Sequence, residues 1–322
     1  MLAILCPGQG SQSPGFLAPW LELPGVAEQV ATFSEAAGVD LRAHGTASDA
    51  DTIRDTAVAQ PLIVAASLIA LRALLGDTPA QQVVGVTAGH SVGEIAAAAV
   101  AGTLDDAGAV GLVSHRARSM AGAAALTPTG MSAVVGGDPE EVLAAIEAAG
   151  LFPANVNGGG QVVAAGTLEN LAALAAAPPS RARVIPLQVA GAFHTPFMQP
   201  AFEEFASVAE SWPASDPVLP MLSDADGTAF RSRSGPGFGR GRDVLRRLAE
   251  QVVAPVRWDL CQQTMLAMGV TGAIELAPAG VLTGLAKRGM PGVPAVAVTS
   301  PDDLEAARAL ITSSTTDEEA SA

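Results

Sequence analysis

The chain carries a serine, Ser91, in the G-x-S-x-G motif of Gly89–Gly93, directly after the apolar run Val83–Val86. This pattern is typical of a nucleophile elbow, a sharp turn from a strand into a helix that only small flanking residues fit. The N-terminus of the following helix, expected over about residues 92–101, directs backbone amides at the serine. The motif therefore predicts a strand-turn-helix unit of an α/β fold, with Ser91 as nucleophile and the Val92 amide as an oxyanion donor. A chance match in a glycine- and alanine-rich chain is the alternative.

A serine nucleophile needs a base, and His194 is the histidine best placed to be one. It lies in a short loop just before a helix predicted over about residues 195–212, and such loops on rigid scaffolds often carry function. A nearby helix N-terminus favours the neutral imidazole that a base requires. An ordinary surface or capping histidine is the alternative. His90 adjoins the serine, but neighbouring side chains point apart at an elbow, so we expect it to be a wall residue of the site.

Arg116 is the sharpest indication of the substrate. It falls on the apolar face of a helix predicted from Thr103 to about Ala124, in register with Val113 and Met120. A buried guanidinium needs a carboxylate partner. That partner is either an internal acidic residue or a substrate carboxylate held by two nitrogens of the guanidinium, and the sequence leaves both open.

The strand predicted at Leu2–Cys6 leads into the glycine-rich loop Pro7–Gln12. Within this loop Gln9 can present a second oxyanion donor opposite the elbow. No Gly-Lys-Ser/Thr follows the loop, and Ser13 stands where the G-x-G-x-x-G pattern requires its last glycine, so nucleotide binding is disfavoured.

Residues 127–189 have a different pattern of strands and helices. The order β-α-β-β-α-β predicts a ferredoxin-like module, inserted into the α/β core formed by residues 1–126 and 190–305. The expected strands are Met131–Val135, Leu151–Val156, Gln161–Ala165 and Arg183–Val189, with helices from Asp138 to Ala149 and over Leu168–Ala177.

Other segments are predicted from helix signals and polarity. A helix over Gln60–Leu75 should end at Gly76, and the Thr103 helix should use Asp106 as a capping-box partner. The remaining expectations are a mobile surface loop over Ala229–Asp243 and a partly disordered tail over residues 306–322, most polar from Ser313 onward.

Composition excludes several classes of protein. Of the 322 residues 49% are hydrophobic, which favours a well-buried globular enzyme over a disordered chain. A net charge of −15 makes nucleic-acid binding unlikely to be the function, because phosphates would be repelled. The four histidines form no close pairs and there is no C-x-x-C, so no metal is expected. Without a basic leader or an uninterrupted membrane-length apolar stretch, we expect a soluble, cytoplasmic monomer.

Taken together, the motifs resemble those of the malonyl-CoA:acyl carrier protein transacylases of bacterial fatty-acid synthesis, most closely the actinobacterial form, and the related acyltransferase domains of polyketide synthases. The resemblance runs from about Leu2 to about Ser300. The matching motifs are Pro7–Gln12, Gly89–Glu94, Arg116 on its helix, Asn157 before Gly160–Val163, Gly191–His194, Gln251 before Pro255–Trp258, and Leu282–Leu285 with Lys287 and Arg288.

The resemblance implies an α/β-hydrolase-like large subdomain carrying a ferredoxin-like small one. It implies that Ser91 is acylated, that His194 is its base, and that the amides of Val92 and Gln9 stabilise the oxyanion. Arg116 would pair with the malonyl carboxylate. A main-chain carbonyl near Gln251 would orient the histidine in place of a triad aspartate.

The implied reaction is a ping-pong transfer of malonyl from malonyl-CoA to the phosphopantetheine thiol of holo acyl carrier protein, with no bound cofactor. Asn157 and His90 are implied to contribute to the substrate site. Phe193 before the histidine, with Val92 after the serine, implies selection of malonyl over methylmalonyl, because a bulky ring leaves less room for a branch.

The carrier protein is itself acidic, so docking would need a local basic patch. The candidate patches are Lys287 with Arg288, Arg181 with Arg183, and Arg246 with Arg247. Two other functions are compatible with parts of the pattern: a serine hydrolase or thioesterase with the same elbow, and a non-catalytic scaffold that binds a carrier protein. Arg116 argues against the first, and the intact Ser91 and His194 argue against the second.

Overall fold

The computed structural model describes residues 1–230 and 240–321. In the described part of the chain ten strands and twelve α-helices are joined by short connections. The strands are β1 Leu2–Cys6, β2 Val86–Gly89, β3 Thr129–Gly136, β4 Phe152–Gly158, β5 Gln161–Thr167, β6 Ala182–Pro186, β7 Met221–Leu222, β8 Ala229–Phe230, β9 Gly272–Glu275 and β10 Ala295–Ala297.

The helices alternate with these strands for most of the chain. They are α1 Val26–Ala37, α2 Leu41–Thr46, α3 Thr56–Leu75, α4 Gly93–Val100, α5 Asp106–Leu126, α6 Pro139–Ala148, α7 Leu168–Ala176, α8 Gln199–Ser211, α9 Gly241–Glu250, α10 Trp258–Ala267, α11 Val281–Gly289 and α12 Leu304–Ser321.

The larger sheet has the strand order β10-β9-β1-β2-β7-β8, and all its pairs are parallel except β7 with β8. Strands β1, β2 and β9 are buried along their whole length, as expected for parallel strands covered by helices on both faces. The carboxyl ends of parallel strands share one edge, where ligands of open α/β sheets bind. The loop after β1, the elbow after β2 and the turn after β7 therefore meet at that edge.

The smaller sheet is wholly antiparallel, with the order β4-β5-β3-β6. Helices α6 and α7 cover it and share a core with it, in which Val134, Ile146 and Leu171 are buried. Two backbone hydrogen bonds join its strand β4 to the rest of the molecule: Val156 donates to the Val256 carbonyl at 2.8 Å, and Val256 donates to the Ala154 carbonyl at 2.9 Å. The edge strand β4 of the smaller sheet is thereby held against the segment just before α10.

Several predicted boundaries are confirmed, and others differ. Asp138 caps α6 as predicted, its carboxylate accepting from the amides of Glu140 and Glu141. The elbow strand, however, begins at Val86 and not at Val83. Apolarity marks a buried segment but not its register, which is set by pairing of Val86–Gly89 with β1.

The capping box predicted at Thr103 is wrong. The N-cap of α5 is Asp105, whose carboxylate accepts from the Gly108 amide at 2.6 Å. The Thr103 backbone is used elsewhere, because its amide donates to Ala98 and its carbonyl accepts from Ser215. Helix α3 likewise begins before Gln60, at Thr56 after the N-cap Asp55.

The C-terminal segment expected as a partly disordered tail is helical to Ser321. Ser300 and Asp303 form a capping box ahead of α12, Ala307 is buried, and Leu310 packs against the core, so the helix has both a start signal and an apolar contact. The loop predicted over Ala229–Asp243 is strand β8 at its beginning and helix α9 from Gly241 onward. Its central part, 231–239, lies outside the described residues.

Helix α3 is long and apolar enough to cross a membrane by length and composition, but 83% of its most apolar window is buried inside the protein. It packs most extensively against α5, the helix that carries Arg116. That pattern is typical of the central helix of a folded core.

Candidate active site

Ser91 lies in a tight turn that brings three chain segments together. Its φ of 54° is in the left-handed region, which a non-glycine residue rarely adopts without support from its surroundings. The elbow glycines allow the close approach: a Cβ on Gly89 would lie 2.0 Å from the Gly93 carbonyl carbon, and one on Gly93 would lie 2.1 Å from the Cys6 oxygen. The G-x-S-x-G spacing therefore reflects contact between the turn, its own helix and the end of β1.

Ser91 and His194 are in direct contact. The distance from Ser91 Oγ to His194 Nε2 is 2.8 Å, and His194 Nδ1 lies 3.0 Å from the main-chain oxygen of Gln251. A carbonyl oxygen only accepts, so Nδ1 carries a proton and Nε2 of the neutral ring is free to accept the serine proton. Burial, followed by the charge of Arg116, lowers the pKa of His194 to about 3, which keeps the ring neutral at physiological pH.

His194 lies just before a helical segment, as predicted. The N-cap Thr195 accepts from the Phe197 amide, and a short 3-10 helix leads into α8. The histidine itself has a φ of 61°, so both the nucleophile and its base are held in left-handed backbone conformations. Such strain is typical of sites where geometry is enforced by the surrounding structure.

Arg116 is 1% exposed and its guanidinium reaches the serine. Nη1 donates to Gln60 Oε1 at 2.7 Å, while Nη2 donates to Gln251 Oε1 at 2.7 Å and to Ser91 Oγ at 3.4 Å. All three acceptors are neutral, and no carboxylate of the described residues forms an ion pair with the guanidinium. Burial lowers the pKa of Arg116 to about 10, so it stays charged at neutral pH.

The proposed oxyanion donors lie on two sides of the serine. Val92 is the N-cap of α4, and Gln9 lies in the loop after β1; both line the same cavity as Ser91. In the described part of the chain neither backbone amide donates to a protein acceptor. Two free amides beside a nucleophile are the arrangement expected of an oxyanion site.

A cavity of about 200 Å³ opens over the serine between the two sheets. His90 Nε2 donates to Asn157 Oδ1 at 2.8 Å, and Asn157 Nδ2 donates to Gln161 at 2.9 Å. One wall of the cavity therefore joins the elbow after β2 to strand β4 of the smaller sheet. Phe193 is buried and also lines the cavity. The lining residues are Gly8, Gln9, Gln60, His90, Ser91, Val92, Met120, Met131, Ala133, Asn155, Asn157, Gln161, Val163, Leu187, Val189, Phe193, His194, Val281, Leu282 and Leu285.

Sequence reasoning missed three polar residues of the site. Gln60 holds Arg116 from α3. Asp224, just after β7, accepts from the backbone amide of Ser91 at 2.7 Å and from Gln251 Nε2 at 3.1 Å, but it makes no contact with His194. Glu94 accepts from the Asp224 amide at 2.9 Å. The only sequence signal for Gln60 and Glu94 is that each is a polar residue on an apolar helix face. Asp224 has no such signal.

The site combines a serine, a neutral histidine held by a carbonyl, free amides and a buried cation. This set supports attack on a carbonyl carbon next to a negatively charged group. Among the described residues no group of three or more histidine, cysteine, aspartate or glutamate side chains could hold a metal ion.

Comparison with known proteins agrees with this chemistry. Residues 4–302 match the acyl transferase domain family. Malonyl CoA-acyl carrier protein transacylase of Mycobacterium tuberculosis is 50% identical over 305 residues, covering 95% of this chain and 98% of the relative. That of Escherichia coli K12 is 33% identical, with the same coverage of both chains.

Solved structures agree in fold. A crystal structure of MCAT from Mycobacterium tuberculosis superposes with a TM-score of 0.89 at 48% identity, covering 96% of this chain and 99% of that one. A malonyl-transacylase solved in complex with a type II PKS acyl-carrier protein superposes with a TM-score of 0.84 at 30% identity, covering 94% and 97%. The chain therefore belongs to the acyl transferase domain family and is an acyltransferase.

Proposed function

We propose that this chain transfers the malonyl group from malonyl-CoA to the phosphopantetheine thiol of holo acyl carrier protein. The observation that carries the proposal is Arg116, a buried charged group beside Ser91 whose three hydrogen-bond acceptors are all neutral. A buried cation with no carboxylate in direct contact among the described residues favours an anionic ligand, and the malonyl carboxylate is an anion two bonds from the reacting thioester carbonyl. The internal-partner alternative for Arg116 loses its support, since no carboxylate in the described part of the chain hydrogen-bonds to the guanidinium.

In the first half-reaction Ser91 Oγ attacks the thioester carbonyl while His194 Nε2 takes its proton. The amides of Val92 and Gln9 stabilise the oxyanion. When the tetrahedral intermediate collapses the carbon–sulfur bond breaks, and CoA leaves with the proton that His194 returns. Malonate remains as an ester on Ser91.

The second half-reaction reverses the sequence with a new thiol. His194 takes the proton of the phosphopantetheine thiol, the sulfur attacks the ester carbonyl, and Ser91 leaves and regains the proton. Water must be kept out during the interval, and the buried side chains of Asn157 and Phe193, with His90 hydrogen-bonded to Asn157, support that exclusion. The ring of Phe193 also supports selection of malonyl over methylmalonyl, although a methyl group is worth only about 1–3 kcal/mol in a pocket.

The relatives support the same partners. Their names describe transfer between malonyl CoA and acyl carrier protein, and one is solved with a carrier from a type II PKS. We therefore propose a role in supplying malonyl units for fatty-acid synthesis, with polyketide carriers as further acceptors, in the cytoplasm, without a bound cofactor and as a monomer.

We also propose that the architecture is an α/β-hydrolase-like subdomain, residues 1–126 and 190–305, carrying a ferredoxin-like subdomain of residues 127–189, followed by the segment 306–322. The parallel order of the larger sheet supports the first assignment. The antiparallel order β4-β5-β3-β6 with two covering helices supports the second.

The proposal is tested by intact-protein mass after brief mixing with malonyl-CoA or acetyl-CoA. We expect a stoichiometric malonyl adduct that holo acyl carrier protein removes, and no adduct with Ser91→Ala. Arg116→Ala should reduce malonyl transfer by about 100-fold or more while changing acetyl transfer little, because only malonyl presents a carboxylate. Loss of the adduct to water as fast as to the carrier would favour the hydrolase instead, and equal losses for both acyl groups would refute the role of Arg116.

A further inference from the structure

Two carboxyl groups lie buried beneath the serine, one on each side of the elbow. Glu94 is in the first turn of α4 and is 1% exposed, while Asp224 follows β7 and is fully buried. Glu94 Oε1 accepts from the Asp224 backbone amide at 2.9 Å, which brings the two carboxyl groups together. We call Glu94 and Asp224 the carboxyl pair. The mechanism above gives neither residue a chemical step.

One oxygen of the carboxyl pair connects the functional parts of the site. Asp224 Oδ2 accepts from the Ser91 backbone amide at 2.7 Å and from Gln251 Nε2 at 3.1 Å. Gln251 in turn holds Arg116 with its side chain at 2.7 Å and His194 with its carbonyl at 3.0 Å. The nucleophile, the base and the cation are therefore all positioned within two contacts of this oxygen.

The hydrogen bonding of the carboxyl pair is incomplete unless it carries a proton. Glu94 Oε2 and Asp224 Oδ1 are both buried with no donor in the described part of the chain. Two ionised carboxylates in contact would repel each other and leave both oxygens unsatisfied. One proton between the two groups supplies the missing donor and removes one of the two charges.

We propose that Glu94 and Asp224 share a single proton. As positioning residues they hold Ser91 and Gln251 in place, and the shared proton keeps a second negative charge away from Arg116. With one proton shared, the buried cluster of the carboxyl pair and Arg116 is neutral before substrate binds. With the proton lost, it carries a net negative charge that opposes the substrate carboxylate. This inference rests on the proposed function, because it assigns Arg116 to an anionic acyl group.

The surroundings of the carboxyl pair favour retention of that proton. Burial is the largest cause that raises the pKa of both groups. The charge of Asp224 raises the pKa of Glu94 further, whereas contacts with Glu94, Ser91 and Gln251 lower the pKa of Asp224, and the charge of Arg116 on α5 lowers both. Cys261 on α10 stays neutral because burial raises its pKa well above the usual value, and His194 stays neutral as described. Asp226, in the turn after β7, is paired with Arg247.

The test compares wild-type protein with Asp224→Asn across the alkaline range. An asparagine retains an oxygen for Ser91 and Gln251 and donates its own N–H to Glu94, so it needs no shared proton. We expect the wild-type rate of malonyl-enzyme formation, and its ratio to acetyl-enzyme formation, to fall as the pair ionises, by up to about tenfold per pH unit. In Asp224→Asn this fall should move up by at least about one pH unit.

Three further measurements keep the outcome clear. Cys261→Ala should leave the alkaline fall in place, which excludes the thiol as its source. Asp224→Ala, which removes the shared acceptor, should slow acylation about 100-fold, as expected when catalytic geometry is loosened; its thermal unfolding shows whether it folds. The infrared difference spectrum between wild type and Asp224→Asn at neutral pH should contain the carbonyl band of a protonated carboxyl group.

The infrared measurement does not depend on acyl transfer, so it separates failure of this inference from failure of the proposed function. Absence of the protonated-carboxyl band would overturn the shared proton. The same alkaline profile in wild type and Asp224→Asn would overturn the electrostatic role.

Discussion

The surroundings of His194 prevent it from becoming a cation, as the role of base proposed for this residue requires. It is 4% exposed, and the positive charge of Arg116 lies nearby, so protonation would place a second cation in a buried site. The carbonyl of Gln251 partly offsets this effect by accepting from Nδ1. The arginine proposed to bind the substrate carboxylate therefore also helps to keep His194 neutral.

This coupling predicts the acid side of the pH profile. Because the pKa of His194 is lowered to about 3, the base form is present above that value and is lost only as the pH falls through it. We expect the rate of acetyl-enzyme formation to show no fall near pH 6.5, the ordinary histidine pKa, between about pH 5 and about pH 8.

Replacing Arg116 tests whether its positive charge lowers the pKa of His194. Arg116→Gln removes a positive charge from the surroundings of His194, so the acid fall in the rate should move to higher pH. Arg118→Gln is the matched control, since Arg118 is an exposed arginine on the same helix and should leave the profile unchanged. An unchanged pH profile in Arg116→Gln would mean that burial alone lowers the pKa of His194.

Ser91, His194 and Arg116 could be chosen from the sequence because each carries a local signal: a motif, a loop before a helix start, and a polar residue on an apolar helix face. Gln60 also lies on an apolar helix face, but nothing in the sequence relates it to Arg116, and Asp224 carries no signal. Their roles arise only when α3 and the end of β7 are brought against α5 and the elbow, which depends on tertiary contacts between distant segments. The sequence could not decide whether Arg116 pairs with an internal carboxylate or with a substrate carboxylate. The structure bears on this choice because it shows that the hydrogen-bond acceptors of Arg116 are neutral.

At the scale of elements, the elbow depends on contacts that tolerate no side chain. Gly89 and Gly93 each stand where a Cβ would overlap backbone atoms that cannot move aside. The pairing of β2 with β1 and the start of α4 over the Cys6 carbonyl both require this close approach. The elbow is thus a packing motif of three backbone segments as well as a catalytic turn.

Gly89→Ala should therefore destabilise the protein by more than about 4 kcal/mol, measured as the free energy of unfolding in denaturant. Gly122→Ala is the control, because Gly122 is an exposed residue inside α5 and a Cβ there meets nothing within 4 Å. That substitution should stabilise the protein by up to about 1 kcal/mol. Similar losses from both substitutions would contradict the close-approach argument.

Element types were more predictable than their boundaries. Capping by Asp138 and the end of α3 at Gly76 follow from local chemistry and agree with the structure. The start of β2 is decided by its register against β1. Helix α5 does not start at Thr103 because the Thr103 backbone forms other hydrogen bonds. Strand β1 and Ser215, which take part in these contacts, are distant in the chain from the segments they hold.

For the whole molecule, the net charge of −15 must be reconciled with an acidic carrier protein. Arg246 and Arg247, one candidate patch, already pair with Asp243, Glu250 and Asp226. Lys287 and Arg288 are exposed in the last turn of α11, and that helix lines the cavity over the serine. Within the described ranges neither forms an ion pair, so they are the basic residues best placed to meet the carrier.

Lys287→Glu should raise the KM for holo acyl carrier protein by about threefold to tenfold, with a smaller effect as salt is added. The rate of malonyl-enzyme formation from malonyl-CoA should change little, because the substitution leaves the acyl site intact. Arg246→Glu is the control and should leave the KM for the carrier unchanged. Equal effects of both substitutions would indicate a general response to net charge.

The histidine is oriented by the main chain of Gln251, and this has a consequence for how the enzyme tolerates genetic change. A triad aspartate can be lost by one base substitution, whereas a backbone carbonyl is present whatever amino acid the codon at position 251 specifies. Substitution there removes only the amide that holds Arg116 and Asp224. If the proposed roles hold, selection on this codon acts on acyl recognition, while the orientation of His194 depends only on the path of the backbone.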